Sequence, residues 1–164
     1  MLIDQAVARD GFSFFFFMLK VVIDTNLLID GASDFYNYGN RIIDLVIAGQ
    51  IEAYANKSTL RENKFLTGQK IPDEGYRKKL EYFFETVKPI GYIGRLEAAE
   101  DDPQDNKILE SAVASDADYL ITSDRHLLKL EKYKSVRIVR PSSFWQIYED
   151  EGEGWSNWLR NFIK

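Results

Sequence analysis

Residues 20–24 read KVVID and residues 119–122 read YLIT. The first is a short apolar run rich in β-branched residues that ends in a carboxylate, the pattern of a parallel strand buried on both faces. The second is read as a further buried strand. Around them, elements of the two kinds alternate. Residues 38–48 carry Ile42, Ile43, Leu45, Val46 and Ile47 on a helical face closed by Gly49, and residues 52–55 suit a strand. Helices are expected over residues 58–66 and 73–85, the latter opening after Pro72 with the stripe Leu80, Phe83, Phe84, then a strand over 87–90. Residues 103–114 place Ile108, Leu109, Ala112 and Val113 on one face, residues 124–130 begin another helix, and 136–139 form a last strand. Two terminal helices are expected, over 141–148 and over 155–163, the second with Trp155, Trp158, Leu159 and Phe162 at helical spacing. Strands alternating with helices imply a central parallel sheet covered on both sides, a three-layer α/β/α sandwich.

Composition limits the chemistry. A chain of 164 residues that is 45% hydrophobic suits one domain with a real core. Lys and Arg number 21 against 26 Asp and Glu, a formal charge of −5 that argues against a broad basic face for nucleic acid, so any such contact must be local. There is no cysteine and a single histidine, His126, which leaves oxygen as the donor for any metal. The apolar stretch 12–19 is preceded by Asp4, Arg9 and Asp10 rather than by a cationic leader and is too short to span a bilayer. The expected location is therefore the cytoplasm, with no membrane contact. Met18 stands directly before the first strand, so residues 1–17 are read as an N-terminal extension, either native or an upstream remnant, and residues 18–164 as the domain.

In a parallel sheet, sites form beyond the carboxyl ends of the strands. Asp24 and Asp124 stand there, after the two most apolar strands. Taken singly, every acid of interest has an ordinary reading. Glu62 follows Thr59 by three residues, as in a capping box; Asp102 before Pro103 suits an N-cap and Asp105 a first helical turn; Asp124 can cap its own helix and Asp24 can simply end a strand. Together, two carboxylates at strand ends and two near helix starts on one sheet edge repel one another unless a cation neutralises them. Hard oxygen donors suit Mg²⁺ or Mn²⁺, and the simplest reaction such a site supports is phosphodiester hydrolysis.

The segments VVIDTNLLIDG (residues 21–31), STLRENKFL (58–66) and DDPQDNKILESAVASDADYLITSDRHLL (101–128) together resemble the PIN-domain family, particularly its VapC-like toxins, over residues 20–140. The resemblance implies an acidic quartet at Asp24, Glu62, Asp105 and Asp124 that binds metal, with Asp102 as accessory acid. It further implies that Asn26 and the hydroxyls of Thr25, Thr122 and Ser123 orient ligands or water. Ser123 stands where many relatives carry Gly. The implied activity is a metal-dependent endoribonuclease that cleaves single-stranded or loop RNA and is restrained by a small antitoxin, in a family whose members commonly dimerise. Alternatives are a nuclease of RNA maturation and a non-catalytic RNA-binding or assembly module. A HAD-type phosphatase requires a second Asp where this chain has Asn26. His126 can meet phosphate or simply face solvent, and the aromatic tail can serve a partner or pack on its own domain.

Overall fold

The computed structural model describes residues 18–32, 37–91 and 102–162, with side chains as far as residue 152. The expectations placed on residues 1–17 and on the side chains of Trp155, Trp158, Leu159 and Phe162 lie outside the described residues.

Among the described residues six strands form one sheet: β1 (Lys20–Ile23), β2 (Glu52–Asn56), β3 (Lys88–Ile90), β4 (Tyr119–Ile121), β5 (Lys132–Tyr133) and β6 (Val136–Val139), in the order β3-β2-β1-β4-β6-β5. All neighbouring pairs are parallel except β5 with β6. The short β5 is an edge strand that the sequence reading does not contain; it joins β6 through a tight turn in which Lys134 takes φ 53°. The helices are α1 (Thr25–Asp30), α2 (Tyr38–Ile47), α3 (Lys57–Lys70), α4 (Glu74–Thr86), α5 (Pro103–Ala114), α6 (Arg125–Lys129) and α7 (Pro141–Phe162).

The two apolar runs show why the sheet is central. Val21 and Ile23 of β1 and Tyr119 and Ile121 of β4 point into a core shared with α1, α2, α4 and Phe144 of α7, whereas Val22 and Leu120 point into a second core with Leu109 and Ala112 of α5 and Leu127 of α6. Period-two alternation sends successive side chains to opposite faces, so a strand covered on both must be apolar throughout. The three-layer expectation holds, with one antiparallel edge.

Three boundaries differ from the sequence reading. Helix α1 follows β1 with no loop, which the residues after Asp24 do not signal by period. Helix α3 starts at Lys57 because Asn56 caps it, its side chain accepting from the Ser58 N–H at 2.8 Å. The capping box expected of Thr59 and Glu62 therefore does not form, since Thr59 already lies inside the first turn. The tail is one helix, α7, rather than two. Glycine inside a helix weakens it by about 1 kcal/mol but does not end it. Gly49 does close α2: it has φ 68°, its N–H donates to the Val46 carbonyl at 3.0 Å and that of Gln50 to Leu45 at 2.9 Å, the paired bonds of a Schellman motif.

Tyr76 of α4 holds α1 in place. Its buried hydroxyl donates to the Leu28 carbonyl at 2.9 Å, and burial pushes its ionisation well above the ordinary range, so the phenol stays a donor. Gly31, the C-cap of α1, lies directly under this hydroxyl, where a Cβ would collide with it. No helix among the described residues is long and apolar enough to cross a membrane.

Candidate active site

The strand order reverses direction between β1 and β4: β2 and β3 follow β1 to one side, while β4 and β6 lie on the other. The crevice beyond the carboxyl ends at such a reversal is where open α/β sheets bind ligands. Asp24 follows β1 at that point and Thr122, Ser123 and Asp124 follow β4.

The local construction repeats. A strand ends, an Asp or Asn with extended backbone caps a helix, and the helix leaves the sheet: Asp24 before α1, Asn56 before α3, Asp124 before α6. Asp24 Oδ1 accepts from the Asn26 N–H at 3.2 Å, and Asp124 Oδ1 accepts from the His126 N–H at 2.7 Å. Asp102 caps α5 by accepting from the Gln104 N–H at 2.7 Å, with Pro103 at the first helical position and Asp105 in the first turn. The ordinary capping readings of Asp102 and Asp124 are thus correct, and Asp24, expected only to end its strand, caps α1 as well. They coexist with convergence, because every cap used here lies on the same sheet edge.

One buried hydroxyl joins the two strand-end acids. Thr122 is 0% exposed; its Oγ1 donates to Asp24 Oδ2 at 2.6 Å and accepts from the Asp124 N–H at 3.0 Å. The Asp24 N–H in turn donates to the Ile121 carbonyl at 3.0 Å. The Asp24 carboxylate is therefore set by the Asn26 N–H and the buried Thr122 hydroxyl, and the Asp124 carboxylate by the His126 N–H, with the Asp124 backbone tied to the same hydroxyl.

The acids borne on helices sit differently. Glu62 lies in the second turn of α3, half exposed, and its Oε2 is 3.5 Å from Nζ of Lys107 on α5. Helix α3 is tied to α1 through Thr25, whose hydroxyl donates to Oδ1 of buried Asn63 at 2.5 Å. Thr25 thereby positions the helix that carries Glu62. Neither Asn63 nor Lys107 emerges from the sequence reading; the signal for each was only that it lies within two residues of a chosen acid.

These elements enclose a cleft of about 310 Å³ whose walls include Asp24, Thr25, Asn26, Glu62, Asp102, Asp105 and Asp124. All four acids of the expected quartet, and the accessory acid, reach it. Thr122 lies beneath the cleft, and Ser123 lines a neighbouring cavity instead. Among the described residues, no three acidic or histidine side chains already stand together as a metal-binding group. The donor set is nonetheless all hard oxygen, with Lys107 and Lys70 as the cations on the same walls, which suits Mg²⁺ or Mn²⁺ and no softer ion.

The PIN domain family profile matches residues 20–126, more than half of the 164 residues. The chain belongs to the PIN domain family. The match begins with β1 and ends just after Asp124, so it spans the sheet reversal and all four acids of the quartet. Among solved structures, one that this PIN domain resembles is that of VapBC2 from Rickettsia felis bound to a DNA fragment from their promoter. The similarity has a TM-score of 0.51 at 14% identity and covers 74% of this chain and 98% of the other, a likeness of fold. No curated protein matches.

Proposed function

We propose that this PIN domain is a Mg²⁺- or Mn²⁺-dependent endoribonuclease acting in the cytoplasm on single-stranded or loop RNA. The observation that carries the reading is the convergence of Asp24, Glu62, Asp105 and Asp124 on one cleft at the sheet reversal. Asp24, Asp105 and Asp124 would hold one or two ions, with Glu62 completing the set and Asp102 beside them. When bound, such an ion neutralises the acids, polarises a phosphoryl oxygen and lowers the pKa of a bound water. Thr122 fixes the direction of the Asp24 carboxylate through its short hydrogen bond. Asn26 lines the cleft with an amide suited to orient water or phosphate oxygen, while Thr25 holds α3 at its working distance.

The test is direct. Purified protein should cleave single-stranded RNA with Mg²⁺ or Mn²⁺ and stop in excess EDTA; cleavage undiminished by EDTA would overturn the reading. We infer further that a small antitoxin restrains the enzyme, a reading supported by the likeness of fold to a chain of the VapBC2 structure. Expression should then slow growth and a co-expressed antitoxin relieve it, whereas growth equal to that of an Asp105→Ala variant at matched protein levels would point to a role in RNA maturation.

A further inference from the structure

Beside the acid cleft, and sharing α1 and residues 123–125 as a common wall with it, lies a cavity of about 470 Å³. Its chemistry is the opposite of the cleft's. Arg125, next in the chain to Asp124, and Arg140, which immediately precedes α7, both line it, against one carboxylate, that of Asp30, among the described residues. Among the described residues neither guanidinium has an ion-pair or hydrogen-bond partner. The rest of the wall offers Leu27 and Pro141 as apolar surface and Tyr38, a residue 44% exposed. Tyr38 is backed by Arg41, its guanidinium 5.7 Å from the Tyr38 centroid and 5.4 Å from that of Trp145.

We propose that this cavity is a second nucleotide subsite, which holds the phosphate and base of a nucleotide flanking the bond that the acid cleft cleaves. The inference rests on the nuclease reading above for what happens in the cleft, but the subsite itself is a binding site. A chain of net charge −5, with five carboxylates around its cleft, needs local cations to receive a polyanion. Two guanidinium forks beside the cleft, without partners among the described residues, supply them, with the planar geometry that pairs with phosphate oxygens. A volume of this size falls in the range of roughly 300–1,000 Å³ typical of small-ligand sites, so a single base can enter. An exposed aromatic ring backed by a guanidinium is the surface on which an unpaired base stacks. A base held in a helical duplex cannot reach into such a cavity, which selects single strands and loops.

The experiment measures the binding of a short, fluorescently labelled single-stranded oligoribonucleotide to the full chain by anisotropy, in EDTA so that no cleavage occurs. Arg125→Gln and Arg140→Gln are compared with wild type and with Lys78→Gln, an exposed charge on α4 away from both cavities. Each arginine variant should weaken binding on the order of tenfold and lower the slope of log affinity against log salt by about 0.7, while Lys78→Gln leaves both unchanged. Arg140→Lys should recover part of the affinity, and a duplex of the same sequence should bind more weakly than the single strand. Wild-type affinity in both arginine variants would overturn the subsite, as it would if the cavity received an acidic segment of a partner protein. Under Mg²⁺, the arginine variants should raise KM with kcat close to wild type. Normal cleavage with unchanged KM sinks the subsite alone. Absence of cleavage with the anisotropy differences intact sinks the nuclease reading and leaves the subsite standing.

Discussion

The strand-borne acids and the helix-borne acids of the cleft reach the same place by different means. Asp24 and Asp124 are short side chains on residues whose backbone is fixed by the sheet, and both are bound to the same buried hydroxyl system through Thr122. Glu62 is a longer side chain on the second turn of α3, half exposed and facing a lysine at 3.5 Å. The first pair forms a rigid platform that exists before any cation arrives. The second has reach and a counter-ion of its own, so it can rearrange as a cation enters. Among the described residues the acids do not already stand together as a metal-binding group: Asp24 directs its oxygens to a cap and to the Thr122 hydroxyl, Asp124 to a cap, and Glu62 faces Lys107.

The most severe way to break this contrast is to remove charge from the platform while keeping its caps. Asn caps a helix about as well as Asp. Asp24→Asn and Asp124→Asn should lower RNA cleavage on the order of a thousandfold, about 4 kcal/mol of barrier. Metal-free Asp124→Asn should melt at the same temperature or be more stable by about 1 kcal/mol through relief of repulsion, whereas in Asp24→Asn that relief is offset because the amide keeps only one acceptor for the Asn26 N–H and the Thr122 hydroxyl. Asp102→Asn is the internal comparison: near-normal activity marks Asp102 as a cap alone, and lost activity marks it as a metal ligand. Thermal melting with and without Mg²⁺, alongside a cleavage assay, separates these outcomes. Variants that destabilise the metal-free fold and still cleave RNA would show the acids to be structural.

A smaller effect is expected from the hydroxyl under the platform. Thr122→Val keeps shape and leaves Asp24 Oδ2 and the Asp124 N–H without their partner, which should lower stability by about 1–3 kcal/mol in denaturant unfolding and weaken Mg²⁺ binding as well. Thr122→Ser should restore both. If Thr122→Val binds Mg²⁺ as tightly as wild type, the platform is not held by this hydroxyl.

The smallest change in stability should come from the half-exposed side of the cleft. Lys107→Gln removes a partly exposed ion pair and should alter metal-free stability by less than about 1 kcal/mol. It should nevertheless raise Mg²⁺ affinity several-fold, since an ammonium beside Glu62 competes with the cation, a shift that titration calorimetry resolves. Unchanged or weaker Mg²⁺ binding would mean that Lys107 does not hold Glu62 in reserve.

Much of this was legible in the sequence because the signals were local. The runs at residues 20–23 and 119–121 could be read as strands buried on both faces from side-chain chemistry alone, since period-two geometry leaves no polar position in such a strand. Asp102 before Pro103 could be read as a cap because the interaction closes within two residues. The same locality misled at Glu62. A Thr and a Glu three apart satisfy a capping box on paper, but Asn56, already extended at the end of β2, starts the helix earlier and takes the capping role.

The sequence by itself thus determined the layer order, the family and which acids are candidates, because each depends on contacts within a few residues or on a pattern repeated along one strand. Only the tertiary structure decided that Thr122 reaches Asp24 across a sequence separation of 98 and so joins it to Asp124, and that Thr25 ties α1 to α3 through Asn63. Only it brought Arg125 and Arg140 to one cavity beside the cleft. These pairings follow from where parallel strands end side by side, and the register of strands distant in sequence is set by the burial of both sheet faces at once, which no single segment encodes.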